Sequence, residues 1–155
     1  MRLDQLLVPT DFSTDAAKAL EQAVFFAKAF QSRIHLLHAF SLPDAMSDTW
    51  RYPLEFIETA RREAEVRLED LRKKTAESLP DVTAEVRDGR PAEVILTRAR
   101  ELPADMIVMG TRGTAGLDYF LLGSVAERTL RKAECPVLVA GGRAAPPGAR
   151  VDGGS

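Results

Sequence analysis

The stretch DMIVMGTRGTAGLDYFLLGS, from Asp105 to Ser124, holds the residues of this chain whose types and spacing could do chemistry. An apolar run, Ile107, Val108 and Met109, stops at Gly110; Gly113 follows closely, and Gly123 with Ser124 stands further on, where a helical pattern SVAERTLRKA begins. A buried strand that ends in a glycine-punctuated loop and then a helix start makes an anion cradle. Glycine lets the backbone approach phosphate oxygens, and the unpaired amides of a first helical turn point at a bound anion with the macrodipole behind them. Ser124 could cap that helix, bond a phosphate, or do both. Arg112, inside the loop, could clamp a phosphate or extend into solvent. Thr111 and Ser124 are the hydroxyls nearest the expected terminal phosphate.

A second group lies in PTDFSTD near the N-terminus. The Asp11 carboxylate could accept hydrogen bonds from a ribose hydroxyl or an adenine amino group; so close to Ser13, it could equally organise its own loop through the backbone. His35 and His38 fall on an apolar strand pattern and on opposite faces of it, where packed histidines satisfied by backbone are expected rather than a catalytic pair. Cys135, directly before Pro136, is expected to be a buried small hydrophobe. Several chemistries lack their residues. There is no Walker pattern with its lysine, no dinucleotide glycine fingerprint after the first strand, and no zinc-ligand spacing. Without a placed general base or water-orienting residue, the cradle points to binding with at most slow turnover.

The elements that must position these groups alternate regularly. Arg2 to Val8, ended by Pro9, reads as a first strand. Ser13 or Thr14 is expected to cap the next helix, with Asp15 in its first turn and Ala16, Ala19, Leu20, Ala23, Phe26, Ala27 and Phe30 as its apolar face. RIHLLHAF is a second strand, followed by a polar loop from Ser41 to Pro53 that carries Trp50 and Tyr52. Leu54 to Leu79 reads as the longest helix. Its apolar stripe is Ile57, Ala60, Ala64, Leu68 and Leu71, and Glu58 with Arg62, Glu63 with Arg67, Glu69 with Lys73 and Asp70 with Lys74 pair along it as a solvated face. VTAEVRDG alternates as a half-exposed strand near a sheet edge, and Pro91 opens the helix AEVILTRARE. MIVM is the fourth strand, Ser124 to Ala133 the fourth helix, and PVLVA the fifth strand.

Such alternation predicts an α/β fold, an open parallel sheet with helices on both faces and right-handed crossovers. Ligands in these sheets bind beyond the carboxyl ends of the strands, where strand order reverses. If the first and fourth strands are neighbours there, PTDFS and GTRGTAG face each other across the crevice. The end of the second strand, His38 to Phe40, then supplies backbone polar groups and apolar walls to a base.

With 155 residues, 45% of them hydrophobic, the chain suits one domain, expected over residues 1–140, with a Gly, Ala and Pro-rich tail, 141–155, expected to be disordered. A formal net charge of -2 gives no electrostatic footprint for nucleic acid or an anionic membrane. The lone cysteine suits a reducing cytoplasm, and no signal-peptide pattern or membrane-length apolar run is present.

The glycine pattern Gly110, Gly113, Gly123 with Ser124, followed by VAERTLRKAECPVLV, closely resembles the universal stress protein family (UspA-like) in its ATP-binding branch. VPTDFS, LLHAF and GRPAEVI fall where that family has counterparts, so the resemblance runs from about Leu3 to Ala140. It implies a flavodoxin-like (adenine nucleotide alpha hydrolase-like) five-stranded sheet in the order 3-2-1-4-5, and a cytoplasmic homodimer paired through the last strand. It also implies ATP, or AMP or ADP, held by the loop after strand 4, with Mg or Mn carried by the nucleotide, and a regulatory role in stress response with a protein partner. Carried over, Pro9, Thr10 and Asp11 would border adenine and ribose, and Ala39 would offer its backbone to the base. Met109 and Gly110 would lie near the ribose; Arg112, Gly113, Gly123, Ser124 and Val125 would surround the phosphates. This chain has Asp118, Tyr119 and Phe120 where the family commonly has small or basic residues, and an acid at 118 is expected to repel a triphosphate unless it points outward or helps hold a divalent ion. Two other readings follow from the same residues: a weak ATPase or phosphotransferase using Thr111 and Ser124, and a nucleotide-free interaction dimer.

Overall fold

The computed structural model describes residues 2–42, 53–112 and 122–141. Gly113, Asp118, Tyr119 and Phe120 of the glycine loop lie outside the described residues, as do Trp50, Tyr52 and the expected tail beyond Gly141.

The elements are β1 Gln5–Pro9, α1 Thr14–Phe30, β2 Arg33–Phe40, α2 Leu54–Ala76, β3 Val82–Asp88, α3 Pro91–Glu101, β4 Met106–Gly110, α4 Ser124–Lys132 and β5 Val137–Ala140. All strand pairs are parallel, in the order β3-β2-β1-β4-β5. β1 is the central strand: Leu6 aligns with Ile34 of β2 on one side and with Met106 of β4 on the other. The Asp105 carboxylate fixes its entry, accepting hydrogen bonds from the Asp4 and Gln5 amides at 2.8 and 2.9 Å.

A central parallel strand is buried on both faces, so β1 is apolar at consecutive positions rather than alternating, and Leu6, Leu7 and Val8 are all fully buried. Period-two geometry then sorts them. Leu6 and Val8 pack with Ala19, Ala23 and Ala27 of α1, while Leu7 packs on the other face with Ile95 of α3 and Ala126 of α4. The alanine stripe of α1 allows close approach to the sheet, as its spacing predicted. Phe30 departs from that reading: it lies exposed at the end of α1, against the ring of Phe26.

Three further expectations are corrected. α2 ends at Ala76, not Leu79, because the Ser78 amide turns back to the Thr75 carbonyl and the chain tucks Leu79 into the core. Within the helix its ion pairs, among the described residues, are Arg61 with Glu65 and Glu69 with Arg72, not the four pairs the spacing suggested, and Arg61 also reaches Asp88 of β3. Pro9 is the last residue of β1 rather than a stop beyond it, since the ladder continues from the Thr10 amide to the Leu37 carbonyl at 2.8 Å.

Candidate functional site

Strand order reverses between β1 and β4, and a cavity of about 550 Å³ opens at the carboxyl ends of β1, β2 and β4. Residues 10–13 build one rim. The Thr10 hydroxyl accepts from the Phe12 amide at 3.0 Å, Asp11 Oδ1 accepts from the Ser13 amide at 3.0 Å, and Ser13 Oγ caps α1 through the Ala16 amide at 3.2 Å. Asp11 therefore does organise its loop while lining the cavity, and Ser13, not Thr14, is the cap. The turn is tight enough to put Phe12 at φ 63°, a left-handed conformation uncommon for a bulky residue. Its ring packs 4.8 Å from that of His38, and the Arg67 guanidinium lies 4.3 Å above it. Arg67 engages this ring instead of the expected Glu63.

β2 supplies the second rim. His38 Nδ1 lies 2.8 Å from the Thr10 carbonyl, which can only accept, so Nδ1 carries the proton. This is the backbone-satisfied histidine that the strand pattern suggested. His35, on the other face, is satisfied by side chains of β3: Thr83 Oγ1 at 2.7 Å and Glu85 Oε2 at 3.3 Å. Burial, with help from the Arg98 charge, pulls the His35 pKa below its ordinary value against the opposing pull of Glu85. Ala39 borders the cavity, and Leu37, Ile95 and Met109 give it apolar walls.

The third rim is the exit of β4. Gly110 lies directly against the first turn of α1, where an added Cβ would come within 2.8 Å of the Asp15 carbonyl carbon. Thr111 Oγ1 and Arg112 Nε then donate to the same oxygen of Asp15, at 2.8 and 3.0 Å. Arg112 is thus paired with a buried acid, an arrangement that neither of the two readings of it from sequence contained. Burial raises the Asp15 pKa, but the Thr111 and Arg112 hydrogen bonds and the Arg112 and Lys18 charges outweigh it, and the carboxyl titrates below its usual range. Thr111 also joins the two stems of the glycine loop: its carbonyl accepts from the Gly123 amide at 2.7 Å, and its amide donates to Ala140 of β5 at 3.1 Å.

α4 completes the enclosure. Its N-cap is Gly123, not Ser124, which is the first residue of the helix. Gly123 has no side chain to accept from the first-turn amides, so the capping role considered for the Ser124 hydroxyl falls away, and the first turn, Ser124 to Ala126, lines the cavity.

Pro9, Thr10, Asp11, Ala39, Met109, Gly110, Arg112, Gly123, Ser124 and Val125 all border this one cavity. Of the expected set, Gly113 alone lies outside the described residues. Sequence reasoning missed Phe12 and Arg67, and it read Asp15 only as a first-turn charge. Their places depend on the β1–β4 and α2–β2 contacts, for which local spacing carries no signal. Cys135 is half-buried against the second core, where burial pushes its thiol pKa up.

A five-stranded doubly wound sheet with its cavity at the β1–β4 reversal is a flavodoxin-like α/β domain. The chain belongs to the universal stress protein family, whose model matches residues 3–141. It is similar to the universal stress protein MJ0531 of Methanocaldococcus jannaschii, 34% identical over 139 residues that span 87% of this chain and 80% of that protein. The solved structure of protein MJ0577, a universal stress protein of the same organism, superposes with a TM-score of 0.83 at 28% identity, covering 94% of this chain and all of the other. A universal stress protein of Archaeoglobus fulgidus, solved in complex with dAMP, shares the fold with a TM-score of 0.65 at 22% identity, over 90% of this chain and 99% of that one.

Proposed function

We propose that this protein binds an adenine nucleotide, ATP with Mg or Mn carried on its phosphates, and acts as a regulatory protein of the stress response. The observation that carries the reading is one cavity in which the uncapped start of α4 and the β4 exit stand opposite Asp11 and Ala39. Pro9, Thr10 and Asp11 border the base and ribose, with Ala39 offering its backbone to the adenine. Met109 and Gly110 lie at the ribose; Arg112, Gly113, Gly123, Ser124 and Val125 take the phosphates. A relative that holds dAMP on the same fold supports this choice of ligand class.

β5 is an outer strand with an open edge, and we propose that two copies pair through it. Among the described residues no helix is long and apolar enough to cross a membrane. On the separate ground of a lone cysteine that suits a reducing compartment, we propose a cytoplasmic location.

The test is direct. Protein purified gently and then denatured should release an adenine nucleotide, and ATP with magnesium should raise the unfolding temperature of nucleotide-free protein. No released nucleotide together with no thermal shift ends this reading in favour of a nucleotide-free interaction dimer.

A further inference from the structure

Asp15 is a buried carboxylate, 5% exposed, that the nucleotide reading does not use, yet it grips the first two residues beyond β4. Its partners differ in kind. Thr111 is held in place by two backbone bonds besides its hydroxyl, to Ala140 and from Gly123. Arg112 is a long side chain, about a quarter exposed, which reaches Asp15 through Nε. Lys18 backs the carboxylate from the next turn of α1 at 3.9 Å. If Arg112 moved, Asp15 would keep the Thr111 hydroxyl and the Lys18 charge, so release of the guanidinium would not strand a bare buried carboxylate.

We infer that Asp15 sets the preference of this site for long over short phosphate chains, by competing with the terminal phosphates for Arg112. The inference rests on the nucleotide reading for the identity of the ligand. A phosphate chain presents paired oxygens that match the planar guanidinium fork better than one carboxylate oxygen does. Asp15 therefore imposes a cost only on ligands that extend to Arg112. It also adds a negative charge beside the most negative part of the ligand. A monophosphate held at the start of α4 makes no claim on Arg112 and is indifferent to this competition.

Calorimetry on the full chain with AMP and with ATP and magnesium tests this in wild type, Asp15→Asn, Arg112→Gln and the double variant. Asparagine keeps the size of Asp15 and an acceptor for the Thr111 hydroxyl while deleting the charge. ATP affinity should rise roughly three- to tenfold in Asp15→Asn, AMP affinity should move by less than about twofold, and the gain should vanish when Arg112 is Gln. An unchanged ATP to AMP ratio, or a gain that persists without Arg112, overturns the inference. If Asp15→Asn does not fold, Arg112→Gln decides alone: it deletes the guanidinium while the Asp15 charge stays beside the phosphate end, backed only by Thr111 and Lys18, so ATP binding should weaken by more than about tenfold with AMP little changed, and an unaltered ratio is contrary. Should wild type bind neither nucleotide, the nucleotide reading fails by itself, and inorganic tripolyphosphate against orthophosphate replaces the pair. The same Arg112-dependent gain for the longer chain then upholds the role of Asp15, and its absence removes it.

Discussion

Two clusters of buried charge lie on opposite faces of the sheet, and only one of them touches the cavity. At the cavity, Asp15 collects Thr111, Arg112 and the more distant Lys18 on a single carboxylate. Across the sheet, His35, Glu85, Arg87, Arg98 and Glu101 interlock. Glu85 meets His35, Arg87 and Arg98, and Glu101 meets Arg87 and Arg98 again. Arg98 Nε sits 2.8 Å from Glu85 Oε2 at an angle too poor for a hydrogen bond, so that contact is Coulombic. In the second cluster each arginine is held by two acids, and moving one leaves charges unmatched on both β3 and α3. It covers the inner side of an edge strand and stays closed. In the first, one guanidinium can leave while the rest remain satisfied. The difference between a staple and a latch lies in whether the groups left behind stay satisfied, as Asp15 does with Thr111 and Lys18, not in how buried they are.

The sharpest way to break this distinction acts on the loop stem. A Cβ at Gly123 would meet the Thr111 carbonyl oxygen at 2.9 Å and the Arg112 Cα at 3.3 Å, and backbone atoms cannot rotate away. Gly123→Val should part the stems and weaken ATP binding by about a hundredfold or more, read by calorimetry, while the folded sheet and any dimer survive in circular dichroism and sedimentation. Wild-type affinity in this variant would mean that the α4 start is not the phosphate site.

Next in size is the staple. Glu85→Ala removes the carboxylate shared by Arg87, Arg98 and the neutral His35 and should cost about 1–3 kcal/mol in urea unfolding, less than a fully buried pair because Glu85 is 30% exposed. Nucleotide affinity should not change. A variant of Glu85 that alters ATP binding as much as stability would show that the two clusters communicate through β2, and the contrast drawn here would collapse.

Much of this was legible beforehand, and the reason is periodicity. The alanine repeat of α1, the continuous apolar run of β1 and the Pro91 start of α3 each have a local cause, and each element formed where expected. The residues around the cavity were legible for a related reason: a glycine stop after a buried strand and a helix start are themselves local patterns. The Asp15 latch was not. Its carboxylate is 96 residues from Thr111 in sequence, and only the contact of Gly110 with the first turn of α1 brings them together. Exposed ion pairs on α2 were the poorest guess, since several i, i+3 and i, i+4 partners compete there at nearly equal energy. Arg67 left that competition altogether for the ring of Phe12.

A smaller effect separates the cap from the latch at the same helix start. Ser13→Ala deletes the acceptor for the Ala16 amide and should lower stability by about 1 kcal/mol. Asp15 would still hold Thr111 and Arg112, so the ATP to AMP ratio should stay at its wild-type value. A changed ratio would mean that the latch depends on the cap rather than on the Asp15 charge.

The two clusters should also come apart with acid, His35 titrating in an upper window and Asp15 in a lower one that it shares with Glu85. His35 is the upper one: its pKa is held below the ordinary histidine value of 6.5 by burial and by the Arg98 and Arg87 charges, with Glu85 pulling the other way. The unfolded chain therefore takes up a proton first, and stability falls as the pH drops from about 7 through 6.5 toward the lowered folded value. Asp15 is lowered from 3.8, so the same sign applies in a lower window: its contribution is intact above that value and is lost as the pH falls through the folded pKa. Urea midpoints measured stepwise from pH 7.5 to 3 should show an upper decline that His35→Gln removes. They should also show a lower one that Asp15→Asn makes smaller, the remainder belonging to Glu85 and Glu69, whose pKa values are lowered as well. If His35→Gln instead flattened the lower window, or Asp15→Asn the upper, the clusters would be titrating as one unit. The latch would then be part of the staple, and its independence at the cavity could not hold.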